Sequence, residues 1–259
     1  MANDLKNKRV IITAAATGIG RVTAESFLAA GAKVHVCDID EAGLKEFKAA
    51  QPAVGVTVAD VADERQVDRL FDDALRNLGG LDIMINNAGI AGPTANVEEV
   101  KPEDWRRTLA VNLDATYLCT RRAVPVLKQN RSGVIVNLSS AAGIHGFARR
   151  TPYASAKWAI VGLTKSLALE LGAFGIRVNC ICPGAVEGDR IERVIKAEAK
   201  ATGKPEDEVR QNTVRYTAMK TFVSPQDIAN MILFLCSAQG ARISGQALPV
   251  DGYLYTLGD

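Results

Sequence analysis

The strongest constraint on this chain is a rhythm: short, continuously apolar runs rich in β-branched residues alternate with longer stretches of helical periodicity. The runs are 10–13, 33–37, 54–58, 81–86, 133–138, 177–181 and 247–250. A strand with one wet face alternates apolar and polar residues. These do not, so a parallel sheet covered on both faces is predicted. Helical patterns lie between them at 19–30, 41–50, 63–78, 103–129, 153–173 and 225–237, with helix-start residues at Asp63, at Pro102-Glu103-Asp104 and at Ser224-Pro225. The alternation runs through residues 1–259 without a repeat, a low-complexity tract or a linker. It predicts an α/β fold: one doubly wound domain with a seven-stranded parallel sheet and helices on both faces. One stretch breaks the rhythm. Residues 187–222 are charged, helical in tone and inserted between the sixth and seventh strands. Two readings stand: a substrate lid over the crevice at the strands' carboxyl ends, or a solvated appendage or interface element.

Composition excludes several classes. A net charge of +2 with no basic run gives no reason to expect nucleic acid as a partner. No apolar stretch nears the roughly 20 residues of a membrane span. The polar start, MANDLKNKR, lacks an apolar signal core, so a cytoplasmic location is expected. The five cysteines are scattered and without C-x-x-C spacing, which reads as reduced thiols. Cys180 and Cys182 read as neighbours on one face of a buried strand, and no ligand cluster points to a metal. A serine hydrolase would need a base partnered with its nucleophile, and the chain has only two histidines and no G-x-S-x-G.

The first strand runs into TAAATGIG, residues 13–20. Small residues and glycines at a strand-to-helix turn let a phosphate approach backbone N–H groups at the helix N-terminus. The loop departs from G-x-G-x-x-G, because the third glycine position falls on Thr23. The second strand ends at Asp38, whose carboxylate can accept hydrogen bonds from both hydroxyls of an adenosine ribose and would repel a 2′-phosphate. That favours NAD over NADP. Asp40 is the better candidate to cap the next helix.

With four further segments, the chain resembles the short-chain dehydrogenase/reductase family over nearly its whole length. The loop T-G-x-x-x-G-x-G aligns with Thr13 to Gly20; Asn86-Asn87-Ala88-Gly89 matches N-N-A-G; Tyr153-Ala154-Ser155-Ala156-Lys157 matches Y-x-x-x-K; and Ser140 lies thirteen residues before the tyrosine. Asn112 falls in the helix where the family keeps an asparagine, and Pro183-Gly184 matches its P-G. The resemblance implies a Rossmann fold and an oxidoreductase interconverting an alcohol and a carbonyl with a nicotinamide cofactor. It implies cofactor contacts from Thr17, Gly18, Ile19 and Gly20, from Asp60 and Val61 at the adenine, from Asn87 and Gly89 at the ribose, and from Pro183, Gly184 and Val186 beside the nicotinamide. It also implies a homotetramer or homodimer pairing the helices near 103–129 and 153–173.

The chemistry is physically coherent. Tyr153 and Lys157 are one helical turn apart and leave the same face. A free tyrosine, titrating near 10, is a poor base at neutral pH. A neighbouring ammonium and an oxidised nicotinamide both favour the phenolate. Tyr153 then takes the alcohol's proton or returns it to a carbonyl. Ser140 orients the reacting oxygen. By resemblance, Lys157 also holds the ribose, and Asn112 holds a water that links the lysine to solvent.

Three departures stand out. Ala14 replaces the loop's first glycine, which is tolerable at negative φ and strained at positive φ. Gly188 stands where the family often has a threonine that binds the cofactor. The loop after Ser140, AAGIHGFARRT, carries adjacent arginines. Arg149 and Arg150 read either as ligands for an anionic substrate group or as surface or interface charge; His145 is either a pocket donor or a loop residue. The expected substrate is small and polar: a sugar, a polyol or a hydroxy acid, with an anionic group as one option. The alternatives are a 3-oxoacyl thioester reductase, commonly NADPH-dependent, and a non-catalytic nucleotide sensor. The apolar tail 253–257 is expected to be buried against a neighbour or over a pocket.

Overall fold

A computed structural model describes residues 2–256. Its strands are β1 Arg9–Thr13, β2 Lys33–Asp38, β3 Gly55–Val58, β4 Ile83–Asn86, β5 Gly133–Leu138, β6 Ile176–Pro183 and β7 Ala247–Val250. They form a single parallel seven-stranded sheet in the order β3-β2-β1-β4-β5-β6-β7, the doubly wound architecture expected from the sequence. The order reverses direction between β1 and β4, and the crevice opens there, at the carboxyl ends of the strands.

The continuous apolar runs are explained by the core. β1 sends Val10 and Ile12 to one face and Ile11 to the other, and two separate apolar clusters sandwich the sheet. One cluster packs helices Gly18–Ala29 and Pro225–Cys236 through Phe27, Ile228 and Ile232. The other packs helices Glu64–Leu78 and Ala115–Asn130 through Leu70, Phe71 and Leu127. Cys180 and Cys182 lie together on one face of β6, buried and unpaired. The capping chemistry also follows the sequence. Asp40 accepts from the N–H of Gly43, Asp63 from that of Gln66, and Ser224 forms a capping box with Asp227.

The stretch expected as one helix over 103–129 is two, Pro102–Leu109 and Ala115–Asn130, joined by a π-helical turn at Ala110–Asp114. The extra residue in that turn carries Asn112, whose amide donates to the carbonyls of Thr108 and Ile90 at 2.9 and 3.0 Å. Periodicity over a long window cannot reveal one inserted residue. Within 187–222 the chain forms helices Asp189–Thr202 and Glu206–Arg215, returned to the body by a bridge between Val186 and Val223. Among the described residues, no helix is long and apolar enough to cross a membrane.

Candidate active site

The glycine loop after β1 is bolted to the end of β4 by one side chain. Asn87 Nδ2 donates to the carbonyls of Thr13 and Ala14 at 3.0 and 2.9 Å, while Thr13 Oγ1 accepts from the N–H groups of Asn87 and Ala88. A methyl group at Gly20 would collide with the Ala14 carbonyl and Asn87 Nδ2, so the loop's last glycine is required by close approach. Gly18, at φ +59°, faces open space. Ala14 also takes a left-handed conformation, at φ +52°, so its methyl group is strained.

The loop fits a pyrophosphate. The first N–H groups of helix Gly18–Ala29 lack intrahelical carbonyls to bond. Its first turn holds no acidic residue, and Thr17 at the N-cap makes no side-chain cap bond, so neither neutralises the positive helix end. Asp38 ends β2 beside the loop. It accepts from the N–H of Ala16 at 3.0 Å and of Asp40 at 3.1 Å, holding its carboxylate in the cleft.

The cleft has a volume of about 990 Å³. Thr17, Gly18, Ile19, Asp38, Asn87 and Gly89 line one part of it, and Ser140, Tyr153, Lys157, Pro183, Gly184 and Val186 another. Arg149 and Arg150 also line it, as does much of the segment 187–222. Gly20, Asp60, Val61, Asn112 and His145 are not among its lining residues. Gly20 sits behind the loop, and Asp60 pairs with Arg107 at 3.0 Å. His145 lies in the loop after Ser140, its carbonyl accepting from the Trp158 indole at 3.4 Å.

A buried polar lattice positions the reactive groups. Ser139 Oγ donates to the Lys157 carbonyl at 2.8 Å, and Asn137 Nδ2 donates to Thr164 Oγ1 at 2.9 Å, so the end of β5 is locked to helix Thr151–Leu171. Asn137 Oδ1 accepts from Asn86, which ties β4 into the same lattice. Lys157 Nζ donates to the Leu138 carbonyl at 2.8 Å and lies 5.7 Å from the centre of the Tyr153 ring. Ser140 Oγ accepts from the N–H of Ala142, which orients the hydroxyl.

The electrostatics favour proton transfer near neutral pH. Burial alone would raise the Tyr153 pKa. Arg190, Lys157, a hydrogen bond from Ser140 and Arg150 outweigh it and bring the phenol down to about 8. Burial lowers Lys157 to about 8, with Tyr153 opposing the shift and Arg190 adding to it. Asn112 Oδ1 is buried without a partner, and a Cβ on Gly89 would stand 2.7 Å from that oxygen and 3.4 Å from Lys157 Nζ. An unfilled acceptor next to the lysine is what a proton relay through water requires.

A family model described as enoyl-(acyl carrier protein) reductase, one of the short-chain dehydrogenase/reductase models, matches residues 13–253. The chain belongs to the short-chain dehydrogenase/reductase family. It is an oxidoreductase acting on CH–OH and carbonyl groups. This short-chain dehydrogenase/reductase is 35% identical to 2-(S)-hydroxypropyl-CoM dehydrogenase 3 of Xanthobacter autotrophicus, over 97% of this chain and 98% of that one. It is 34% identical to the 3-oxoacyl-[acyl-carrier-protein] reductase of Thermotoga maritima, over 96% and 98%. The crystal structure of NAD+-bound xylitol dehydrogenase superposes with a TM-score of 0.93 at 27% identity, covering 96% of this chain and 99% of that one.

Two features of the site escaped the sequence. Arg190, in the charged segment 187–222, has its guanidinium carbon 5.6 Å from the centre of the Tyr153 ring, a contact the sequence did not indicate. No local pattern encodes which way a helix inserted between strands will aim. Arg149 and Arg150, adjacent in sequence, part company: Arg149 forms an ion pair with Glu198 of helix Asp189–Thr202, whereas Arg150 is buried and donates to the Ala91 carbonyl at 2.7 Å. Arg149 stands at φ +57°, a turn that sends the two side chains apart. Of the tail, Leu254 is buried and lines the cleft, while Tyr253 and Tyr255 are exposed; Leu257 lies outside the described residues.

Proposed function

We propose that this enzyme uses NAD to oxidise, reversibly, the secondary alcohol of a small polar compound: a sugar, a polyol or a hydroxy acid. Asp38 carries the cofactor preference. Its carboxylate is fixed in the cleft by two backbone N–H groups, suits the two hydroxyls of an adenosine ribose and repels a 2′-phosphate. Thr17, Gly18 and Ile19 hold the pyrophosphate, with Gly20 behind them permitting the close turn. Asp60 and Val61 border the adenine, and Asn87, Gly89, Pro183, Gly184 and Val186 the nicotinamide riboside. Bound NAD supplies the acceptor for the hydride that leaves the substrate carbon.

The chain's own residues manage the proton. Ser140 and Tyr153 hydrogen-bond the substrate oxygen, Tyr153 takes its proton as phenolate, and Lys157 lowers the cost of that charge. Asn112 Oδ1 anchors the water that passes the proton from Lys157 toward solvent. Residues 187–222 act as the lid, latched to the body by Arg149 and Glu198. Arg150 reaches the substrate, and His145 supports the loop that carries it. The same reading gives a cytoplasmic homotetramer or homodimer, supported by exposed Tyr117, Trp158 and Leu169 on the helices that would pair.

The test is competition between cofactors. NADH is expected to bind at least tenfold more tightly than NADPH, and Asp38→Ala to shrink that gap. A native preference for NADPH would refute the reading and favour the 3-oxoacyl reductase alternative, which the Thermotoga maritima relative represents.

A further inference from the structure

Arg150 is an unbalanced charge. The residue is 3% exposed, its Nε has no hydrogen-bond partner, and its side chain's one hydrogen bond is the donation to the Ala91 carbonyl. The guanidinium carbon lies 5.2 Å from the ring centres of both Phe147 and Tyr153. No carboxylate among the described residues pairs with it. Glu198, the carboxylate that acts electrostatically on Arg150, spends both oxygens on Arg149. Arginine cannot shed its proton to escape burial, and an uncompensated buried cation costs several kcal/mol. Such a charge persists in a cleft when a ligand completes it.

Arg190 adds a second cation near Tyr153, its guanidinium carbon 5.6 Å from the ring centre. Its guanidinium makes one hydrogen bond, a 3.4 Å contact to the Gly89 carbonyl, and is exposed, so it can turn toward a ligand. Glu187 and Asp189 line the same cleft, but no ion pair joins either to Arg150 or Arg190. The cofactor's phosphates have their own cradle at Thr17 to Gly20, which leaves Arg150 unmatched.

Resting on the dehydrogenase reading above, we propose that Arg150, with Arg190 as a second arm, is the subsite for an anionic oxyacid group on the substrate, a carboxylate or a sulfonate. The substrate is then a hydroxy acid or hydroxy sulfonate rather than a sugar or a neutral polyol. The planar guanidinium suits the paired oxygens of either group. Its place 5.2 Å from the ring of the proton-transferring tyrosine puts the anion a few bonds from the reacting carbon.

The experiment titrates propionate, ethanesulfonate and neutral 1-propanol into the NADH-loaded protein, following NADH fluorescence. At least one anion is expected to bind at least tenfold more tightly than propanol. Arg150→Met is expected to weaken that anion at least tenfold, and Arg190→Ala at least threefold, with NADH affinity unchanged. Should Arg150→Met fail to fold, the exposed Arg190→Ala and the charge-retaining Arg150→Lys decide. Propanol binding as well as the anions, or variants that bind the anions like the native protein, would overturn the subsite while leaving the cofactor reading intact. Loss of NADH rather than anion affinity in Arg190→Ala would overturn its role as second arm. If NADH itself does not bind, the dehydrogenase reading fails, and calorimetric titration of the same anions into the free protein still tests Arg150.

Discussion

Ala14→Gly is expected to stabilise the protein without altering its cofactor affinity. At φ +52° the Ala14 methyl crowds the following carbonyl, at a cost of roughly 1–2 kcal/mol. Glycine removes that cost but enlarges the unfolded ensemble by about 0.4–1 kcal/mol. A net gain of about 0–1.6 kcal/mol, centred on ~0.8 kcal/mol, remains. Unfolding entropy is about 2.1 cal/mol/K per residue, so for 259 residues the midpoint should rise by about 1–2 °C. The backbone around residue 14 is held from outside, by Asn87 on the carbonyls of Thr13 and Ala14 and by the Cys37 carbonyl on the N–H of Ala15. Relieving the strain should therefore move nothing that faces the cofactor. The assay is a pair of thermal melts by calorimetry, with NADH titrations of both proteins. A lower midpoint in the glycine variant would refute the strain argument. A change of more than about threefold (0.65 kcal/mol) in NADH affinity would refute the claim that Asn87 sets the loop.

Other expectations concern the proton path and the lid. With Tyr153 at about 8, the phenolate forms above that pH. Alcohol oxidation should rise with pH and level off beyond about 8, while carbonyl reduction falls through the same range; a flat profile would contradict the base. Lys157→Met removes a cation that favours the phenolate, so the inflection should move to higher pH, and an unmoved inflection would exclude the lysine's influence. Asn112→Ala removes the amide bonds to the carbonyls of Thr108 and Ile90, costing about 1–3 kcal/mol; an unchanged melting temperature would show that the π-helical turn does not depend on Asn112. Glu198→Gln breaks the latch to Arg149, so limited proteolysis within 187–222 should accelerate severalfold, and unchanged cleavage would show that the pair does not hold the lid.

Much of this was legible in the chain because local physics encodes it. Short, continuous β-branched runs favour strands buried on both faces, and the strands of the sheet fall where those runs do. Asp40, Asp63 and Ser224 cap helices because short polar side chains before a helical run have few other uses. Tyr153 and Lys157 face the same way because helical geometry allows nothing else. What the sequence hid depends on tertiary placement. The π-helical turn at Asn112 adds a single residue, which periodicity averages away. The sign of φ at Ala14 follows from how Asn87 grips the loop from another strand. Arg150 turns inward and Arg149 outward because of one left-handed residue, and Arg190 meets Tyr153 only because the inserted helices fold back over the sheet.

The most direct measurement is NADH formation from a panel of hydroxy acids, sugars and polyols by the native protein and by Tyr153→Phe, followed by NADH absorbance. At least one compound should be oxidised by the native protein. The phenylalanine variant should lose about 10²–10⁴-fold of that activity while binding NADH as tightly as before. Turnover within tenfold of native in Tyr153→Phe, or no oxidation of any compound at all, would contradict the assignment of Tyr153 as the group that moves the proton.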